Sequence, residues 1–590
     1  MKQVLQNLGS GETSLADVPA PLARRGLLLI RTEASLVSLG TEKMLVSFGQ
    51  ANLLEKARQQ PEKVKQVIQK IGTDGLRPTI EAVRAKLDQP LALGYCNAGR
   101  VVGIGDGVTG FSLLNRVVSN GAHAEVVSVS KHLCARIPDN VSSEAAAFTV
   151  VAAIGLQGVR LAAPSVGETV AVIGLGLIGL LTVQILRANG CRVLGTDFDS
   201  KKCALARRFG AETVDLSMGG DPLAAAEAFS RGRGVDAVLI TASTKSSEPV
   251  SQAARMCRKR GRIVLVGVTG LELNRSEFYE KELTFQVSCS YGPGRYDPAY
   301  EQGGHDYPVG FVRWTEQRNF EAVLDLMASG AVDPTPLISH RFPIERAVEA
   351  YDLVGQGEGL GIVLSYAPGE RREAIGERRI RLPSDRPTVR PFDRSTGAAP
   401  VIGVIGAGNY TGQTLLPALA KTGARLHTII SGGGVTAVHL GRKFRFEHAG
   451  TSAAEVFADP EINTVLITTR HDSHARYVLE ALRAGKRVFV EKPLCLSLEE
   501  LEEIGGAVGG EARDVIARTT QRSSLQEGNI QMEGPALSGP FREGRTTQRS
   551  SLQDGNIQME GPAPSGPFRE ARTTQRSSLQ EGNIQMEGPA

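Results

Sequence analysis

The chain lacks a dominant sign of charge. Its 67 Lys and Arg stand against 63 Asp and Glu, so no global basic field exists to hold nucleic acid or an anionic membrane, and a small-molecule substrate is the expected partner. It also lacks paired cysteines. The seven present, Cys96, Cys134, Cys191, Cys203, Cys257, Cys289 and Cys495, include no CxxC, which argues against a disulfide framework or a four-thiolate zinc knot and fits a reducing cytoplasm. The opening MKQVLQNLGSGETSLADVPAP has no apolar run of the signal-peptide kind, so a cytoplasmic location is expected.

From Arg518 onward the chain is short of apolar residues, with 16 in 73. This stretch repeats with a period of 27 residues: RTTQRSSLQEGNIQMEGPALSGPFREG (518–544) recurs from Arg545 and again, in part, from Arg572. A solenoid would need each copy to bury a face against the next. Each copy here offers few large apolar side chains between Gly-Pro and Gly-Asn breakers, so disorder is the expectation for residues 517–590.

What is present in force is glycine, 67 residues, and its placement is informative. TVAVIGLGLIGLLTVQILRANG contains an almost wholly apolar run from Val170 to Leu186, long enough to suggest a membrane span. Gly174, Gly176 and Gly179 decide against that. They form GxGxxG after a Val/Ala/Ile strand and before a helix, the context in which the glycines allow a tight turn, a close pyrophosphate and close helix–strand packing. Asp197 ends the next strand, 23 residues beyond Gly174, where a carboxylate accepts hydrogen bonds from the adenosine ribose and repels a 2′-phosphate. NAD is therefore expected at this first site. Strands at 235–241 and 261–268, each preceded by a helical segment, complete an α/β alternation.

The order of these segments, with LGYCNAGRVVGIGDGVTGF and NGAHAEVVSVSKHLCARIPDNVSSEAAA before them, resembles the medium-chain dehydrogenase/reductase family over about residues 1–366. The resemblance implies a split GroES-like, β-rich catalytic domain (1–140 and 290–366) around a Rossmann NAD-binding domain (141–289). It departs from the family where zinc binds. Leu39-Gly40-Thr41-Glu42, with Ser38 before it, replaces Cys-Gly-Thr-Asp; Tyr95 and Cys96 follow Gly94 in place of His-Glu; Phe148-Thr149-Val150 stands at the third ligand. No zinc is expected on that ground. Tyr95, at the His position, then becomes the candidate acid–base group, or it only fills the vacated cavity. Thr41 and Glu42 are candidates to orient a substrate or cofactor hydroxyl.

Two further stretches are notable. Residues 51–90 read as two amphipathic helices. The segment 296–327 holds the single Trp, Trp314, with His305, Asp306, Tyr307, Arg313, Glu316, Arg318 and Asn319. That set suits sugar stacking and anion binding, or equally a structural ion-pair cluster at a helix start.

After a Pro/Arg-rich linker (367–400), VIGVIGAGNYTGQTLLPAL repeats the theme with Gly406 and Gly408, and Thr411 in the third place. Ser431, not an acid, follows the next strand, which leaves NAD or NADP open at this second site. INTVLITTRHDSHARYVLEALRAGKRVFVEKPL resembles the Gfo/Idh/MocA family through His474 and the Glu491-Lys492-Pro493 run. By that resemblance Lys492 would lie near the nicotinamide, and the Lys-Pro bond would often be cis. The unit (401–516) ends before the family's substrate domain, so it is read as truncated, its site either working or vestigial.

The pair of units resembles two-domain bacterial oxidoreductases of polysaccharide and nucleotide-sugar metabolism. The expectation is a metal-independent, NAD(P)-dependent oxidoreductase acting on a secondary alcohol or ketone of a sugar, with a homo-oligomer as an open alternative. A dinucleotide-binding regulatory or scaffold protein without turnover is the competing reading.

Overall fold

The computed structural model describes residues 1–59, 61–367, 377–383 and 400–508. The tandem repeats and most of the expected linker lie outside these residues.

A long strand, Leu27–Ser38, organises the first body. Its run LLLIRTEASLVS is largely buried because the strand is flanked on both sides. The seven-stranded sheet around it runs Ile338–Pro343, Gly361–Ser365, Leu27–Ser38, Asn97–Ile104, Arg116–Ser119 and Cys134–Arg136, with Val126–Ser130 also paired to the long strand. A smaller antiparallel sheet joins Thr13–Asp17, Lys2–Asn7 and Pro90–Ala92. Helices Leu39–Gln50, Leu53–Gln59, Pro61–Asp74 and Leu76–Asp88 connect the two. Residues 51–90 thus form three helices, where two were expected. Pro61 opens one of them, at a position where its missing N–H costs nothing, and Gly75, at φ +88°, breaks the chain before the last.

The apolar run at 170–186 resolves into strand Thr169–Ile173, a loop, and helix Leu177–Ala188. No described helix is long and apolar enough to cross a membrane. The strand lies near the middle of a parallel sheet ordered Glu212–Asp215, Arg192–Asp197, Thr169–Ile173, Val235–Ile240, Cys257–Leu265 and Thr284–Val287. This is the doubly wound order 3-2-1-4-5-6, which leaves a crevice beyond the carboxyl end of the first strand.

A second parallel sheet, ordered His448–Gly450, Arg425–Ile430, Val401–Ile405, Thr464–Ile467 and Arg487–Val490, repeats the first five places of that order. Arg379–Arg381 adds an antiparallel edge strand beside His448–Gly450. This strand falls within the stretch read as linker; it satisfies the backbone groups of an otherwise open sheet edge.

The second sheet shares a core with the N-terminus. Val18, fully buried, packs with Leu382, Ile402, Val404 and Leu426. Ala20 N–H donates to Glu377 O, and Ala20 O accepts from Thr451 Oγ1 at 2.6 Å. Farther along, Gln89 Nε2 donates to Asn409 Oδ1 at 2.8 Å, and Lys443 pairs with Asp88 at 2.8 Å.

Candidate active site

The Gly-rich loop of the first site forms as its residues require. Gly174 sits at φ +94°, where a side chain would also strike Ala242. A Cβ on Gly176 would meet nothing within 4 Å, so the backbone there faces open space that a pyrophosphate can enter. A Cβ on Gly179 would lie 2.0 Å from Gly174 O, so only glycine permits that close packing. Asp197 reaches back toward this loop: its Oδ2 accepts from Leu175 N–H at 2.6 Å.

Helix Thr149–Ala162 ties this loop to the candidate catalytic residues. Its Gly155 packs against Thr182 of the helix that follows the loop, while its Val151 shares a buried core with Cys96. Tyr95 and Thr41 are both half-buried, and Tyr95 OH donates to Thr41 Oγ1 at 3.2 Å. Thr41 is there because the long strand ends at Ser38 and turns directly into helix Leu39–Gln50. Burial, and then the neighbouring Cys96, push the Tyr95 phenol well above its ordinary pKa. It therefore holds its proton and acts as a donor. The Cys96 thiol is likewise raised by burial and by Glu42, so it stays a neutral, inert sulfhydryl.

Glu42 points the other way. It is fully buried, with Oε1 accepting from Ser38 N–H at 2.9 Å and Oε2 taking the Tyr351 hydroxyl and lying 3.2 Å from His123 Nε2. His123 Nδ1 is 2.7 Å from Ser35 Oγ, which is 2.8 Å from the Tyr366 hydroxyl. Burial, then Glu42, raises the Tyr351 phenol, and burial raises Tyr366. The result is a buried hydrogen-bonded network behind the half-buried Tyr95–Thr41 pair. Gly94 makes room for it: a Cβ there would lie 2.5 Å from the His123 ring, and its φ is +91°. Sequence reasoning missed His123, Tyr351 and Tyr366. The glycine immediately before Tyr95 was the one local signal, and it does not say which ring it admits.

Trp314 of the 296–327 segment lies under two guanidinium groups, Arg160 at 3.3 Å and Arg313 at 3.8 Å from the ring centroid. Arg318 pairs with Asp306, and Thr315 caps helix Glu316–Ala328. This is the ion-pair cluster at a helix start.

In the second unit, Gly406 sits at φ +116°, and Gly408, like Gly176, has open space where a Cβ would stand. Thr411, in the third place, opens a π turn at Thr411–Leu415 and hydrogen-bonds Thr468 Oγ1 at 2.8 Å. The wider turn accommodates a side chain where the first loop cannot. His474 is clamped between Pro493 O (2.7 Å) and Thr469 O (3.1 Å), the Lys492–Pro493 peptide is cis, and Lys492 is exposed.

Comparisons with known proteins bear out two families. Residues 178–302 match the family described as zinc-binding dehydrogenase, and residues 401–513 match the oxidoreductase family with an NAD-binding Rossmann fold, Gfo/Idh/MocA. The chain thus carries a medium-chain dehydrogenase unit followed by a Gfo/Idh/MocA unit. Among relatives, human sorbitol dehydrogenase is 26% identical over 239 residues, covering 40% of this chain and 60% of its own length. D-xylulose reductase of Scheffersomyces stipitis is 25% identical over 324 residues, covering 46% and 82%. The chain therefore spans about 60% of the length of the sorbitol dehydrogenase. The structure of alcohol dehydrogenase TADH from Thermus sp. ATN1 aligns over 62% of this chain and 100% of its own, at 19% identity and TM-score 0.48.

The family match corrects one expectation. The matched dehydrogenases are a zinc-binding family, so the reading that no zinc belongs with this chain is withdrawn. The side chains around Tyr95 do not themselves form a ready zinc site: Glu42 and His123 are committed to each other and to Ser38, Tyr351 and Ser35, and Thr149 offers only a buried hydroxyl without a partner among the described residues. Among the described residues, the one group of three His, Cys, Asp or Glu ligand atoms within 4.8 Å of one another is His427, Glu447 and His448 in the second unit. There the Arg379 guanidinium lies 3.4 and 3.2 Å from the two imidazole Nδ1 atoms. No chemical step below is routed through a metal.

Proposed function

We propose that the first unit is an NAD(H)-linked oxidoreductase that moves hydride between nicotinamide and a secondary alcohol or ketone of a polyol or sugar, in the cytoplasm. A nucleotide sugar of polysaccharide metabolism is the narrower substrate reading. The observation that carries the proposal is the conjunction of an open Gly176 and an Asp197 that ends the second strand and reaches back to the Gly-rich loop, beside the helix that runs from this loop toward the Tyr95–Thr41 hydroxyl pair. The names of the sorbitol and xylulose relatives support a polyol substrate.

In this reading the Tyr95 phenol, kept protonated by burial, turns its hydrogen bond from Thr41 Oγ1 to the substrate oxygen, and the Thr41 hydroxyl then donates to the phenol oxygen. In ketone reduction the phenol proton passes to the substrate oxygen as hydride reaches the carbon and is replaced through Thr41 from solvent, and alcohol oxidation runs the same relay in reverse. Glu42, His123, Tyr351 and Tyr366 hold Thr41 and Tyr95 from behind as positioning residues. Lys492 of the second unit is read as an inherited position and not as a working catalyst. Binding without turnover is the second reading, favoured by the closed Glu42–His123 network.

The test mixes the full chain with NAD and sorbitol or xylitol, and with NADH and xylulose or other keto-sugars, and follows nicotinamide absorbance. Turnover is expected. Gly176→Asp is expected to leave the fold intact, since its Cβ meets nothing, and to abolish NADH binding and turnover together. Tyr95→Phe should lower kcat about 100-fold with the Kd for NADH unchanged. Tight NADH binding with no oxidation across the panel would establish the second reading.

A further inference from the structure

The two dinucleotide loops can be overlaid residue by residue through their backbone hydrogen bonds. In the first, Gly174 N–H donates to Thr196 O at 2.9 Å and the next residue is Asp197; in the second, Gly406 N–H donates to Ile430 O at 3.0 Å and the next residue is Ser431. Ser431 therefore occupies the place of the acid that reads an adenosine 2′-hydroxyl, and Gly432 follows it.

Gly432 is not bare. The Arg24 guanidinium lies on it, with Nη1 2.5 Å from where a Cβ would stand. Arg24 comes from the first unit, some four hundred residues away in sequence. It is delivered there because Val18 and Ala20, both fully buried, anchor the preceding chain into the second unit, and because Pro19 O packs against Gly434. Arg24 is exposed and has no carboxylate partner among the described residues. Within the same loop, the amides of Gly432 and Gly433 donate to no acceptor among the described residues, and a Cβ on Gly433 would meet nothing within 4 Å. The Arg24 guanidinium, the two amides without an acceptor among the described residues, and the Ser431 hydroxyl, whose oxygen accepts from Ala437 N–H at 3.2 Å and which keeps its own hydrogen to donate, stand where the first site has a carboxylate. That set repels nothing anionic and matches a phosphate.

We infer that the second unit takes a 2′-phosphorylated adenine dinucleotide, NADP(H), and that Arg24 of the first unit is the residue that selects it. The chain then carries two cofactor specificities, NAD(H) at the first site and NADP(H) at the second, and the second is incomplete without the first unit.

The experiment is calorimetric titration of the full chain with 2′,5′-ADP and with 5′-ADP, which carry the adenosine end alone. In the Gly176→Asp chain, whose first loop is blocked, 2′,5′-ADP should bind at least about tenfold more tightly than 5′-ADP, the return on one charge-assisted contact. Gly408→Asp should remove that binding. Arg24→Ala, at an exposed position that leaves the core untouched, should erase the preference by about tenfold or more, and Arg24→Lys should restore part of it. Equal affinity for the two nucleotides, a preference that survives Arg24→Ala, or no binding of either would overturn the inference. Failure of NADH to bind the first site in the chain without substitutions would instead strike the proposal for the first unit and leave this one standing.

Discussion

The two dinucleotide loops begin alike and then diverge, and the divergence separates what the phosphates demand from what the neighbouring chain permits. Both first glycines have positive φ, both second glycines face open space, and in both the threonine just beyond the fourth strand holds the first glycine's carbonyl, Thr241 at 2.6 Å and Thr468 at 2.9 Å. These features shape the backbone that would face a pyrophosphate. The third position is different: it concerns only how closely helix and strand pack. The first unit solves it with Gly179 and a regular α-helix, the second with Thr411 and a π turn. The end of the second strand differs again, acid against serine, and there the ribose decides.

The sharpest way to break this comparison is at the third position. Gly179→Ala would place a methyl 2.0 Å from a backbone carbonyl that cannot yield, and should cost about 3 kcal/mol in urea unfolding. Thr411→Gly removes one hydroxyl contact and adds chain freedom, and should cost about 1 kcal/mol. Equal losses would mean that the π turn is not what accommodates Thr411. Next in size is Asp197→Ser, which gives the first site the residue of the second. NADH affinity at the first site should fall about tenfold and discrimination against NADPH should narrow, as read by nicotinamide fluorescence. An unchanged NADH/NADPH ratio would show that Asp197 serves only to brace Leu175.

Both loops were legible in the sequence because their demands are local: a glycine triplet, a strand before it and a helix after it lie within about twenty residues. The α/β alternation followed from the same short-range patterns, whereas the β-rich split domain was implied only by the family resemblance. Tyr95 and Thr41 were legible as a pair only through family resemblance, since 54 residues separate them. What stayed hidden is tertiary. The Ser35–Tyr366 contact spans 331 residues, and nothing near Glu42 announces that it turns inward to Tyr351. Arg379–Arg381 reads as linker because its strand pairing is supplied by His448–Gly450, and Arg24 reads as a surface cation because Gly432 lies in another unit.

The last predictions concern pH, where the two units should fail at opposite ends. Glu316 in the first unit is fully buried, its two carboxylate oxygens find no hydrogen-bond partner among the described residues, and burial followed by Glu301 pushes its pKa up to about 9. The folded chain keeps this proton while an unfolded carboxyl loses it near its ordinary value, so stability falls as pH rises from about 4.5 and the loss is complete only above 9. In the second unit, burial and then Arg379 bring His448 down to about 4, burial lowers His427, and Arg425 and Arg379 hold Glu447 and Asp459 below the usual carboxylate range. Each of these groups binds protons more readily when unfolded, so stability here is lost as pH falls from about 6.5 through 4. Trp314, the single tryptophan, adjoins Glu316 through Thr315 and reports the first unit alone. Its urea transition should lose about 2 kcal/mol between pH 7 and 9, and Glu316→Gln should flatten that dependence without touching the acid limb. His448→Gln should do the reverse, easing the acid loss seen by proteolysis of the second unit while the Trp314 transition stays where it was. If one substitution moves both limbs, the shared core around Val18 couples the units so tightly that they unfold as one, and the contrast between them is confined to ligand binding.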